Sequence, residues 1–241
     1  MEYLNIANHK IPFEFRRSKK ARRMRMQVDT HGEITVVAPW HTPEKVVHDF
    51  ISKNHGWLEK QFAKIDKSKK KRPEFHYLTG DTFYYFGEPV VLEVSPSSAK
   101  RPAIKIRDDK MLITLYGEIS LKEGIKTIKK AIADFYRSKA EETIRDRLEH
   151  FNEHYGFRYN RVTMRDQKSR WGSCSRLRNL NFNWRLIMAP IEVIDYVVVH
   201  ELCHLKEMNH SSRFWALVSQ VMPEHKKYRK WLKDNHYMLM Y

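Results

Sequence analysis

The chain has 241 residues, of which 41% are hydrophobic and 31% are charged, and its formal net charge is +16 at pH 7. This apolar content is typical of a globular protein and excludes an intrinsically disordered chain. No apolar run is long enough for a signal peptide or for a membrane-spanning helix of ~20 residues, and the chain has two cysteines, so the sequence predicts a cytoplasmic protein that does not bind membranes.

Positive charge is concentrated in two clusters, at residues 16–25 and 64–72. Such clusters attract polyanions, so one interpretation is a surface that binds nucleic acid or a nucleotide. The other is a solvated hairpin edge and a solvated linker, because edge strands carry Lys and Arg that resist pairing with other strands. No aromatic ladder or helix-turn-helix pattern accompanies either cluster, so the signal for nucleic acid is electrostatic alone.

The N-terminal half of the chain contains mostly strand signals. Alternating apolar residues predict a β-hairpin over residues 11–38, and Thr42, as the N-cap, and Pro43 open a single helix that continues to the charged linker. Turn signals then divide residues 75–116 into short strands, at Gly80-Asp81, Gly87-Glu88, Ser95-Pro96 and Asp108-Asp109. We therefore expect a β-rich domain over residues 1–117 that includes one helix and a basic hairpin.

The C-terminal half contains mostly helix signals, and a helical apolar stripe dominates its first part. The predicted elements are, in order, a helix from Ser120 to Tyr155 that ends at Gly156, strands over 158–166 and 179–188, and helices that begin at Pro190, at Ser211 or Ser212, and at Pro223. Together the two halves predict an α+β fold class, with a second domain over residues 118–241.

The most informative segment is His200-Glu201-Leu202-Cys203-His204, with His210 six residues later. Residues four apart lie on one face of a helix, so His200 and His204 can bind the same metal ion, and Glu201 lies beside them to handle the proton of a water molecule. A chain that turns back could supply His210 as a third ligand. Three protein ligands and one open position are typical of a catalytic Zn²⁺ site, and another divalent transition metal could use the same ligands.

The roles of several neighbours of this motif are open. We expect Cys203 to be a packing residue, because it points away from the face that carries the histidines. The segment before His210 requires a turn at Met208-Asn209, where Asn tolerates the left-handed conformation. Glu207 is the alternative third ligand if His210 does not reach the ion. Asp195 is either a helix-start charge or a partner that orients an imidazole.

Four segments of the chain together resemble one protein family: Ser169–Ser175, Asn179–Leu186, His200–His204 and Met208–Trp215. The chain is similar in them to the bacterial and archaeal YgjP-like metallopeptidase-domain family, a relative of the SprT and WLM zincins, and the resemblance spans nearly the whole sequence. It implies a zincin-like minidomain with an HExxH active-site helix. It also implies that His200, His204 and His210 are the zinc ligands and that Glu201 is the catalytic acid/base, so that metal-activated water attacks an amide carbonyl.

The residues that contact the substrate are less clearly indicated. Trp171, Ser173 and Asn183 are candidates for the lining of the substrate site, although the turn at residues 171–173 could instead be a tight corner of the core. Either Arg170 or Arg185 could stabilise an oxyanion or form a structural ion pair. Alternating asparagines in the second predicted strand indicate one wet face, from which the strand could pair with an extended peptide.

The leading prediction is a zinc-dependent peptidase that acts on a peptide or protein substrate. The first alternative is a metal-dependent nucleotide pyrophosphatase, because the net charge of +16 favours anionic substrates and activated water can attack phosphorus; no phosphate-binding glycine motif supports it. The second alternative, by analogy with SprT and WLM relatives alone, is a DNA-associated zincin that binds nucleoprotein or acts on it.

Overall fold

The computed structural model describes residues 2–6, 9–29, 32–69, 74–117, 121–167 and 170–239. The chain has an α+β fold and forms two compact units, residues 1–72 and residues 73–241. The predicted domain boundary after residue 117 falls inside the second unit, where the sheet before it and the long helix after it share one hydrophobic core. No helix within the described ranges is long and apolar enough to cross a membrane.

The first unit consists of a four-stranded sheet and two helices. Its elements are β1 (Glu2–Ile6), β2 (His9–Ser18), β3 (Arg25–Val28), β4 (Ile34–Pro39), α1 (Glu44–Lys53) and α2 (His55–Lys69). The strands lie in the order β1-β2-β4-β3. The predicted hairpin is confirmed for β3 and β4, which pair antiparallel, whereas β2 pairs with β4 in parallel. Buried apolar residues of the sheet and of both helices form one core.

The prediction of a single helix after Thr42 is wrong in two respects. Helix α1 has Pro43 at its N-cap and no side-chain capping bond, so Thr42 does not cap it. Asn54 then separates α1 from α2, because its side-chain amide donates to the carbonyl of Phe50 (2.8 Å) and its backbone N–H donates to the carbonyl of Ile51 (3.0 Å). Asparagine side chains compete for backbone groups in this way and interrupt helices.

The first basic cluster is accessible in this unit. Arg22, Arg23 and Arg25 are exposed, and they form no ion pair with an acidic residue that the structure describes. This placement suits a solvated edge as well as a surface for polyanions, so nucleic-acid binding stays a prediction. The side chains of the second cluster, at residues 64–72, lie outside the described part of the chain.

The second unit begins with another four-stranded sheet and a long helix. These elements are β5 (Thr82–Tyr85), β6 (Glu88–Ser97), β7 (Ala103–Arg107), β8 (Lys110–Tyr116) and α3 (Leu121–Tyr155). The sheet has the order β5-β6-β8-β7. The prediction of a turn at Ser95-Pro96 is wrong, because β6 stays paired with β8 as far as Ser97. The long helix is confirmed: Gly156, at φ +63°, follows its last residue, and Ser120, where the helix was predicted to begin, lies outside the described residues.

A three-stranded sheet and three helices complete the second unit. They are β9 (Arg161–Arg165), β10 (Gly172–Cys174), β11 (Asn179–Asn183), α4 (Ile191–Cys203), α5 (Ser212–Val221) and α6 (His225–Asn235). The strand predicted over residues 179–188 ends early, because the side-chain oxygen of Asn183 accepts the N–H of Arg185 (3.1 Å) and begins a 3-10 turn. Asn183 is also only 2% exposed, so the wet face of asparagines does not extend to it.

Helices α3 and α4 form the interior of the second unit. The buried residues of α3 recur every three to four positions, as on one face of an amphipathic helix. Helix α4 is buried all round from Val193 to Val199. The hydroxyl of Tyr136 on α3 donates to the carbonyl of Tyr84 (2.7 Å) and joins the helix to the first sheet of the unit. The end of α4 is therefore held inside a packed core.

A bidentate ion pair joins α3 to α4. Arg147 Nε and Nη2 donate to the two carboxylate oxygens of Asp195, at 2.5 Å and 2.8 Å. Asp195 is only 7% exposed, and its burial raises the pKa of its carboxyl group although the bond to Arg147 opposes this shift. Because Asp195 is bound to Arg147, it does not have the predicted role of a partner that orients an imidazole.

We expect Arg147→Met to lower the free energy of unfolding by about 2 kcal/mol, because the Asp195 carboxylate would stay buried without a partner. Arg145→Met is the matched control: Arg145 lies on the same helix and pairs with Glu141 (2.8 Å) while both side chains are about half exposed, so its loss stays below ~1 kcal/mol. Urea unfolding at pH 7 gives both values. Equal losses in the two variants would contradict a structural role for the Arg147 pair.

Candidate metal centre and catalytic carboxylate

The end of helix α4 carries the histidines of the predicted motif. His200 and Glu201 lie in its last turn and His204 is its C-cap, so the predicted helical spacing is confirmed. The N–H of His204 donates to the carbonyl of His200 (3.3 Å), which keeps the two side chains one turn apart. Both imidazoles therefore project from the same side of the helix.

A short loop after α4 brings the third histidine back to this helix end. The N–H of Glu207 donates to the carbonyl of Cys203 (2.9 Å) and closes a tight turn, and α5 begins after Ser211, its N-cap. Asn209 does not have a positive φ. The left-handed conformation predicted for it is therefore wrong, and the turn is made without one. His210 lies near the end of this loop, one residue before the cap.

The three imidazoles converge. One ring nitrogen from each of His200, His204 and His210 lies within 4.8 Å of the other two. The Nε2 atoms of His200 and His210 are 2.9 Å apart. Nδ1 of His204 lies 3.0 Å from the carbonyl oxygen of Glu207, so this nitrogen carries the proton and Nε2 keeps a free lone pair. Glu207, predicted as an alternative ligand, thus contacts the site through its backbone.

A fully buried aromatic ring packs against all three imidazoles. The ring centroid of Phe214 lies 4.8 Å from that of His200, 4.5 Å from that of His204 and 4.8 Å from that of His210. The next residue, Trp215, stacks on His210 with a centroid distance of 5.7 Å and an angle of 24° between ring planes. The first turn of α5 therefore restricts the orientations of all three rings.

Burial sets the protonation of the two histidines on α4. It lowers the pKa of His200 to about 3, and the neighbouring imidazoles of His204 and His210 add to the shift. Burial also lowers the pKa of His204, although the hydrogen bond to the Glu207 carbonyl opposes this. Both rings are neutral at physiological pH, and neutral imidazole is the form that binds metals.

Glu201 lies beside the imidazoles in a confined position. It is 4% exposed, and burial raises the pKa of its carboxyl group to about 8, with Arg170 opposing the shift. Strand β10 passes directly over it: a Cβ atom at Gly172 would lie 2.4 Å from Oε1 and 2.6 Å from Cγ of Glu201. Only glycine leaves room for this carboxylate, so Gly172 fixes where Glu201 can lie.

These residues fit a divalent metal ion. Three neutral imidazoles form a ligand set that suits Zn²⁺ and other divalent transition metals. Nitrogen atoms bound to one tetrahedral ion lie about 3.4 Å apart, and the observed approaches of 2.9 Å and up to 4.8 Å bracket this spacing. In addition, Oε2 of Glu201 is buried and accepts no hydrogen bond from any residue that the structure describes, which is rare in proteins unless a ligand completes the site.

A cavity of about 580 Å³ opens beside His200 and Glu201. Of the three predicted lining residues, Trp171 and Asn183 lie on its wall. The hydroxyl of Ser173 instead accepts a hydrogen bond from the side-chain amide of Asn181 (3.3 Å). Successive residues of a strand point to opposite faces, so the approach of Gly172 to Glu201 turns Ser173 away from the cavity.

The other candidate residues near the site differ in whether they reach the cavity. Arg170 lies on the cavity wall, whereas Arg185 pairs with Asp166, and its guanidinium carbon lies 4.4 Å from the ring centroid of Trp184. Arg185 therefore has the structural role among its two predicted roles. Strand β11 is the central strand of its sheet, so it has no free edge for pairing with a peptide. Cys203 is fully buried, as a packing residue should be.

Some contributors to the site were not predicted. The structure shows three of them: the contact of Gly172 with Glu201, the packing of Phe214 against the three rings, and the presence of Arg229 and Lys233 on the cavity wall. The spacing of four residues between Arg229 and Lys233 places them on one helix face. That signal is present in the sequence, but the sequence does not indicate which face of α6 meets the cavity.

Comparison with known proteins gives a family. Residues 22–235 match the YgjP-like family, which is described as a metallopeptidase domain. Similar solved structures include the metallopeptidase zymogen of Pyrococcus abyssi abylysin, 26% identical with a TM-score of 0.36 over 39% of this chain and 95% of that one. Another is the metallopeptidase zymogen of Methanocaldococcus jannaschii jannalysin, 19% identical with a TM-score of 0.34 over 39% of this chain and 96% of that one.

A search of curated proteins finds no match, and the predicted kinship with SprT and WLM zincins stays a prediction. The family match covers most of the sequence and includes both the residues of α4 and the loop that carries His210. This protein belongs to the YgjP-like metallopeptidase-domain family.

Proposed function

We propose that the protein is a metal-dependent peptidase in which His200, His204 and His210 hold a zinc ion and Glu201 is the catalytic acid and base. One observation carries the proposal: a buried carboxylate lies beside three imidazoles whose ring nitrogens approach within 4.8 Å. Membership of a metallopeptidase-domain family supports peptide hydrolysis as the reaction. A set of three protein ligands leaves an open position, as in catalytic rather than structural sites.

Contacts within the protein fix the orientation and the protonation of the proposed ligand side chains. The carbonyl of Glu207 fixes the proton of His204 on Nδ1, and burial keeps His200 neutral. Packing against Phe214 limits the orientations that the rings can adopt. When bound, zinc would act as a Lewis acid that polarises a water molecule and a peptide carbonyl.

The carboxylate of Glu201 would take a proton from the water that attacks the peptide carbonyl and deliver it to the nitrogen of the leaving amine. Burial raises the pKa of this carboxyl group to about 8, and the positive charge of a zinc ion held by the three imidazoles would favour the ionised form that acts as the base. The apolar side chains of Trp171, Val197 and Leu232 make part of the cavity wall nonpolar. Electrostatic interactions are stronger in such an environment.

A second candidate function is the hydrolysis of a phosphoanhydride such as that of a nucleotide. One observation favours it: the cationic side chains of Arg170, Arg229 and Lys233 lie on the wall of the same cavity. Guanidinium and ammonium groups bind phosphate well. The ligand set and Glu201 would have the same roles, so the two candidates differ in substrate alone.

We expect His200→Ala and His204→Ala each to abolish stoichiometric zinc binding, because two imidazoles are too few to hold the ion tightly. The unaltered protein should retain about one zinc per chain after equilibrium dialysis, measured by elemental analysis. His154→Ala is the control, since His154 is exposed on α3. Full zinc content in the His204 variant would rule out the proposed ligand set.

We expect Glu201→Gln to retain zinc and to lower casein cleavage by roughly 10³-fold, because the amide cannot transfer the proton. Glu192→Gln, on the exposed side of the first turn of α4, is the control and should stay active. The same assay includes nucleoside triphosphates. Release of phosphate from a nucleoside triphosphate while casein stays intact would contradict the peptidase function and favour phosphoanhydride hydrolysis.

We expect Gly172→Ala to retain zinc but to have a turnover number lower by roughly tenfold or more. The added methyl group would displace the Glu201 carboxylate, and small misplacements of catalytic groups slow the reaction strongly. Gly124→Ala is a matched control on α3, where an added Cβ meets nothing within 4 Å. Turnover and zinc content are measured for both variants. Unchanged turnover in Gly172→Ala would mean that the position of Glu201 is not critical.

A further inference from the structure

Positive charge comes to the cavity wall from two segments of the chain. Arg170 lies just before β10, and Arg229 and Lys233 lie on α6. Among the wall residues that the structure describes, Glu201 is the only acidic one. It is buried at the site itself, so the open part of the cavity presents cationic groups to a substrate.

The cationic side chains that α6 contributes to this wall differ from Lys230, which lies on the same helix. Lys230, which is not on the wall, pairs with Asp234 one helical turn away (2.8 Å). Arg229 and Lys233 form no ion pair with any acidic residue in the described ranges, and the Arg229 guanidinium carbon lies 5.3 Å from the ring centroid of Trp215. Arg229 and Lys233 are therefore available at the cavity to bind a ligand.

Apolar residues lie between the cationic groups. Trp171, Val197 and Leu232 contribute to the same wall, and Val197 and Leu232 are almost completely buried. A ligand that fits this surface has an apolar stem and an anionic end. The side chains of Asp and Glu have this composition, and so does the last residue of a peptide with its free carboxylate.

Resting on the proposed peptidase function, we propose that the cavity selects peptides with a carboxylate beside the scissile bond, and that Arg229 and Lys233 bind this carboxylate. The carboxylate comes either from an acidic side chain or from a free C-terminus. Charge-assisted hydrogen bonds to Arg and Lys stabilise such a group more than its amide equivalent. Arg170, from a different segment of the same wall, adds to the positive potential along the substrate path.

The test uses the zinc-loaded full chain and a set of fluorogenic peptides that differ at one position. Each position next to the scissile bond carries Glu, Gln or Lys in turn, and each peptide is made with a free and with an amidated C-terminus. We expect kcat/KM for the best Glu peptide to exceed that of its Gln equivalent by about five- to tenfold, because several partly exposed charges act together. Lys at this position gives the slowest cleavage, and added salt reduces the preference.

The C-terminal arm distinguishes the two sources of the carboxylate. A preference that disappears on amidation assigns the carboxylate to the chain terminus, and one that persists assigns it to the side chain. Both results support the proposal.

Matched variants then test the residues. In the double variant Arg229→Gln and Lys233→Gln, the ratio of kcat/KM for Glu and Gln peptides should fall to about one. The double variant Lys226→Gln and Lys230→Gln removes the same charge from residues of α6 that are not on the wall, and it should leave the ratio unchanged. Equal cleavage of Glu and Gln peptides by the unaltered protein, or a ratio that the double variant does not change, would overturn the proposal and leave the peptidase function intact. Absence of cleavage of every peptide, with hydrolysis of nucleoside triphosphates that depends on Arg229 and Lys233, would overturn the peptidase function as well.

Discussion

The burial of the last turn of α4 is the constraint on which the site depends. The helix is buried on all sides from Val193 to Val199. The polar groups of His200 and Glu201, which follow directly, therefore lie at the edge of an apolar interior and not on a solvated surface. Burial shifts their pKa values in opposite directions, to about 3 for His200 and about 8 for Glu201. One environment therefore gives a neutral imidazole that can bind a metal and, beside it, a carboxyl group whose pKa is raised.

Several elements hold this helix end in place. The pair between Arg147 and Asp195 attaches α4 to α3. Phe214, at the start of α5, packs against all three imidazoles, and Gly172 lets β10 approach Glu201 closely. Each contact comes from a different part of the chain, and together they leave the imidazoles and the carboxylate few alternative positions. Such preorganisation is what a catalytic site requires of its scaffold.

The parts of the site that follow from local periodicity could be predicted from the sequence. The spacing of His200 and His204 and the apolar flanks of α4 placed both imidazoles on one side of a buried helix. Contacts between distant segments could not be predicted in this way. The break at Asn54 depends on hydrogen bonds that compete with the helix, and the roles of Gly172 and Lys233 depend on which strand and which helix face meet the site.

The central claim is that three imidazoles share one ion beside Glu201. Its most direct test is anomalous diffraction at the zinc absorption edge from crystals of the zinc-loaded protein. The proposal predicts a single strong peak about 2.1 Å from one ring nitrogen of each of His200, His204 and His210. A peak that lacks contact with His210 or lies elsewhere in the chain, or no peak at all from protein that cleaves peptides, would contradict it.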